Sequence, residues 1–69
     1  MRLSYDNETD SLYVHFSERP GTTAREVADG VVIDVDANGI IVGMDIEDAS
    51  ARIDLATLET GGLPFPKTA

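Results

Sequence analysis

The pair Asn38-Gly39, set inside Val31–Glu47 (VVIDVDANGIIVGMDIE), constrains this chain more than any other feature. Asparagine and glycine both accept the left-handed backbone of a tight hairpin turn, so the dipeptide predicts two antiparallel strands folded on each other. With Asn38 and Gly39 as the loop, Ala37 faces Ile40, Val35 faces Val42, Ile33 faces Met44 and Val31 faces Ile46. All these pairs are apolar and share one face, because strand side chains alternate. Asp34, Asp36, Asp45 and Glu47 then lie on the other face with Val32 and Ile41. A three-residue loop, Ala37-Asn38-Gly39 with Gly39 as a left-handed bulge, competes. It sets Asp34 against Val42 and Val31 against Asp45. The two-residue register keeps like with like and is the one expected.

Upstream, Arg2–Tyr5 reads as a short strand and Ser11–Ser17 alternates, with Leu12, Val14 and Phe16 on one face and Tyr13, His15 and Ser17 on the other. Pairing Tyr5 with Leu12 and Leu3 with Val14 aligns their apolar sides across a polar loop, Asn7–Asp10. Pro20-Gly21 breaks the chain, and Thr22–Ala28 reads as an edge strand whose Arg25 and Glu26 discourage aggregation. Asp29-Gly30 turns it into the Val31 strand. After Glu47 the period changes. Asp48 or Ser50 as N-cap, or Asp54 for a shorter piece, with Gly61 as terminator, predicts a helix over 50–60 with Ala51, Leu55 and Leu58 on its apolar stripe. Residues 61–69, with Leu63 and Phe65 among prolines, read as an extended tail. The expected architecture is α+β: a single domain, 1–69, with a small antiparallel β-meander of four to five strands over 2–47 and a short C-terminal helix. Short connections favour sequence neighbours as spatial neighbours.

A chain of 69 residues without cysteine has neither disulfide nor thiolate chemistry to strengthen a small core, which points to self-association. Val32, Ile41 and Tyr13, apolar groups on the acid-bearing face, add to that expectation of a homodimer. Thirteen acidic residues against five basic ones give a net charge of −8, which repels phosphate backbones and anionic lipids. Neither nucleic acid nor membrane is an expected partner; a basic protein is. No signal peptide opens the sequence and no apolar run approaches membrane length, so a cytoplasmic location is expected.

The order and spacing of Tyr5-Asp6, Asp10, Leu12-Tyr13-Val14, Asp29-Gly30-Val31, Asp34-Val35-Asp36-Ala37-Asn38-Gly39 and Val42–Ser50 resemble the small bacterial proteins grouped as domain of unknown function 2283. The resemblance covers about residues 2–53. It implies a compact β-rich cytoplasmic domain and supplies no catalytic residue.

The candidate chemistry is sparse. Asp34-x-Asp36-x-Asn38-Gly39 matches the opening of a calcium loop, with Asp45 at position twelve, making Asp34, Asp36, Asn38 and Asp45 the candidate metal ligands. The same letters spell a turn between β-branched strands, which is the expected reading. His15, the only histidine, is joined to Ser11 or Ser17 and an aspartate only on paper, since no strained nucleophile turn accompanies it. No phosphate-cradling glycine loop is present. The expectation is therefore an uncharacterised acidic interaction module needing no cofactor, antitoxin-like in one version, with a weak divalent-cation site or an enzyme of unknown class as the alternatives.

Overall fold

The computed structural model of the chain describes residues 1–64. Its elements are β1 (Arg2–Asp6), β2 (Ser11–His15), β3 (Thr23–Ala28), β4 (Val31–Val35), β5 (Ile41–Ile46) and α1 (Ala49–Arg52). The five strands form one antiparallel sheet in the order β1-β2-β5-β4-β3. Two sequence-local units, the β1–β2 hairpin and the β3–β4–β5 meander, are thus zipped together by β2 and β5. Residues 16–22 carry the chain past the ends of β5 and β4 to the far edge, so β2 and β3 are not neighbours. Pairing the buried Leu12 and Val14 with Ile46 and Met44 concentrates the apolar strands at the sheet centre.

The first hairpin has the expected register, Leu3 with Val14 and Tyr5 with Leu12, around the 7–10 loop. The Asn38-Gly39 hairpin combines the two registers that compete in the sequence. Asp36 N donates to Ile40 O at 2.9 Å and Gly39 has φ 79, so the loop is the three-residue one. Val35 pairs with Ile41, yet Asp34 pairs with Gly43, leaving Val42 as an extra bulged residue. The bulge shifts the ladder by one and restores Ile33 with Met44 and Val31 with Ile46, as the two-residue loop requires. It also exchanges two side chains between faces. Ile41 joins Val35 on the apolar face, while Val42 turns to the acid-bearing face, buried and close to Gly21 of the crossover.

The helix expected over 50–60 is a single turn, Ala49–Arg52. Asp48 has φ 53 and makes no side-chain cap. The cap comes instead from Asp10, in the β1–β2 turn. Its carbonyl accepts from Ala49 N at 2.9 Å, and its carboxylate accepts from Ser50 N at 3.1 Å and Ser50 Oγ at 2.7 Å. Asp54 closes a local turn onto Ala56 N and Thr57 Oγ1 rather than starting a helix. A stripe of three apolar side chains is too little to hold a longer helix by packing. Leu12, Val14, Ile46 and Ala49 form the core, with Val31, Met44 and Ile53 packed against it. No described helix is long and apolar enough to cross a membrane. Leu63 is exposed, and Phe65 lies outside the described residues.

Candidate functional site

The acid-bearing face is a grid of registered side chains. One row runs Ser4, Tyr13, Asp45, Val32, Glu26 across the five strands; the next runs Arg2, His15, Gly43, Asp34, Ala24. Gly43 makes the centre of the grid possible. The Tyr13 ring leans over it from β2 to β4, and a Cβ on Gly43 would fall inside the phenol, 2.9 Å from Cε2. Tyr13 Oη reaches across and donates to Asp34 Oδ2. That bond, then burial and the negative charge of Asp34 and Asp45, pushes the Tyr13 phenol up to about 12. A phenol so placed holds its proton tightly, and its partner carboxylate is already engaged.

His15 stands edge-on to Tyr13, with ring centroids 4.4 Å apart. Its Nδ1 lies 3.3 Å from Arg2 Nη2 and its Nε2 lies 3.4 Å from Ser4 Oγ. A guanidinium only donates, so Nδ1 is the acceptor and Nε2 carries the proton toward Ser4. This is the reverse of a catalytic triad, where a carboxylate stands at the nitrogen that here meets a cation. The serines considered from sequence are elsewhere: Ser11 Oγ accepts from Thr9 Oγ1, and Ser17 Oγ accepts from Arg19 N.

The candidate cation ligands do not converge. Asp34 serves Tyr13. Asp36 is buried; its Oδ1 accepts from Asn38 N at 2.9 Å and Ile40 N at 3.0 Å, and its Oδ2 meets Arg19 Nε at 3.0 Å. Those backbone bonds first, with Arg19 assisting, hold its carboxyl below the usual carboxylate range. Asn38 is exposed at the turn and Asp45 lies on the grid, in register with Tyr13 and Val32. Among the described residues no three His, Cys, Asp or Glu side chains gather round a point that could hold a metal ion. Asp36 thus locks a turn, which is the plainer of the two readings of Asp-x-Asp-x-Asn-Gly.

On the opposite face, Leu3, Tyr5, Leu12, Ile53, Leu55 and Leu58 line an apolar groove of about 420 Å3 between β1 and the segment after α1. Tyr5 Oη at its rim donates to Asp10 Oδ1 at 2.7 Å, so the carboxylate that caps α1 also anchors the groove wall. The bonds from Ser50 and Tyr5 hold the Asp10 carboxyl below its usual range.

Sequence reasoning missed both the Tyr13–Asp34 bond and the Asp10 clasp. A signal for the first was present: an isolated glycine inside a strand marks a bulge or a close approach, and Gly43 marks both. The second joins residues forty positions apart and has no local signature.

No curated protein and no solved structure matches the chain. The family described as protein of unknown function (DUF2283) matches residues 2–50, which span the whole sheet and the start of α1. The chain therefore belongs to the DUF2283 family.

Proposed function

We propose that this protein is a non-enzymatic, cytoplasmic interaction module that holds a basic partner protein against the acid-bearing face of its sheet. The supporting observation is how the acids divide. Asp10, Asp34 and Asp36 are spent on holding the fold, whereas the side chains of Asp45 and Glu47 make no hydrogen bond among the described residues, and Asp45 shares its face with Glu26. Tyr13 and His15 give the face an aromatic centre, the kind of residue that anchors protein interfaces. A net charge of −8 steers a cationic partner toward it. Neutralising a small basic protein, as antitoxins do, is the form of this reading that size and charge favour.

The test is affinity capture from the native host with the wild-type chain and with a Glu26→Lys/Asp45→Lys variant, in low and high salt. The reading expects a basic protein retained by the wild type at low salt and lost from the variant. Recovery of no basic protein, or equal retention by both chains, refutes it.

A further inference from the structure

An apolar sheet face needs a second layer, and in a stable domain another helix or sheet supplies it. Here that layer is four helical residues and the segment to Leu58, which lie over the Leu12–Ile46 end of the sheet. At the other end Ile41, in register with the half-buried Val35, is 40% exposed, and Phe16, the residue after β2, is 39% exposed. Leu3 and Tyr5, at 45% and 48%, leave the β1 side open as well. Among the described residues no large side chain is fully buried. The chain exposes 5353 Å2, whereas a compact protein of 7.4 kDa exposes about 4,200 Å2. That difference belongs to the whole chain, the exposed segment 54–64 included, and on this face it is carried by Phe16, Ile41, Leu3 and Tyr5.

Charge selects the occupant. The strand acids Asp34, Asp45 and Glu26 point to the far side, and the charged strand residue registered with the apolar face is Arg25, at the β3 edge. Two copies can therefore meet face to face at the Ile41 end without opposing their strand acids, despite a charge of −8 on each; Asp54 and Asp10 lie at the groove, over the other end. We propose that the apolar sheet face is closed by a second copy of this chain, giving a two-layer sandwich with both acid faces outward. The bulge at Val42 contributes directly, since it is what turns Ile41 toward the partner. This surface is distinct from the one proposed for the basic partner, so either proposal can fail alone.

The test is mass by light scattering on a sizing column at about 50 μM, beside thermal melts over a hundredfold range of concentration. The wild type should run at twice the 7.4 kDa chain mass, and its Tm should rise with concentration, because dissociation is coupled to unfolding. Phe16→Glu/Ile41→Glu should run as a monomer, while Asp45→Lys, on the outer face, should stay dimeric. A wild-type monomer, or a mass other than twofold, overturns the proposal. So does a dimer that survives Phe16→Glu/Ile41→Glu. If that variant does not fold, the wild-type melts still decide: a Tm independent of concentration overturns the proposal.

Discussion

Gly43→Ala is the most informative single substitution in this protein. The new methyl group would occupy the space of the Tyr13 phenol, 2.9 Å from Cε2, and the ring cannot retreat without leaving Asp34. Overfilling a packed site costs about 1–3 kcal/mol. Losing a hydrogen bond to a charged acceptor costs about 1.5–3 kcal/mol. The two overlap, because the same ring movement relieves one and causes the other, so about 2–4 kcal/mol is expected in all. A domain of 69 residues has roughly 3–10 kcal/mol of stability, and at this size each lost kcal/mol lowers Tm by roughly 4–8 °C.

The assay is urea unfolding of Gly43→Ala, Tyr13→Ala and the double variant. With the ring removed, alanine should be no worse than glycine at position 43, and better by up to about 1 kcal/mol, since glycine is the costlier residue to order in a strand. The sign of the Gly43→Ala effect should therefore reverse between the two backgrounds. Ultraviolet titration gives an independent readout: in Gly43→Ala the phenol that ionises near 12 in the wild type should move back toward 10. Equal costs of Gly43→Ala with and without Tyr13 would refute the account of the grid.

Other outcomes follow from the same geometry. Gly39→Ala should cost about 1 kcal/mol in thermal melts from φ 79 alone, since nothing lies within 4 Å to clash, whereas Gly61→Ala, also with open space around it and without positive φ, should be neutral. Asp10→Ala should speed amide exchange at Ala49 and Ser50 before it affects the sheet centre; unchanged exchange there would remove the clasp from the account. Stability should fall on both sides of neutrality. Asp10 and Asp36 titrate below the ordinary carboxylate value, so their contribution is present above about pH 4 and lost as pH falls through their lowered values. Tyr13 titrates above its ordinary value, so its contribution is complete below about pH 10 and lost as pH rises toward about 12. Urea midpoints across that range would show a plateau between the two limbs, and a midpoint still rising below pH 4 would contradict the carboxylate roles. Calcium at about 1 mM should leave Tm unchanged, because Asp34 and Asp36 already have partners.

The sequence by itself determined what depends on neighbours in the chain. Alternation set Leu3 against Val14 and Tyr5 against Leu12, and Asn38-Gly39 and Asp29-Gly30 marked their hairpins because positive φ is a property of single residues. Arg25 and Glu26 marked an edge strand for the same local reason. Tertiary structure decided what depends on distance. Whether β2 would zip to β5 is not a question either strand answers alone, and that pairing brings Tyr13 to Asp34 across Gly43. Hairpin register turned on a bulge at Val42, which β4 and β5 tolerate because the crossover at Gly21 covers the displaced side chain. The helix is capped from a distance by Asp10, not by Asp48, and it stopped after one turn, with Ile53 extended, because too little apolar surface follows to hold more. Short-range backbone preference is written residue by residue; hydrogen bonds and packing between residues thirty or forty positions apart exist only once the sheet has chosen its order.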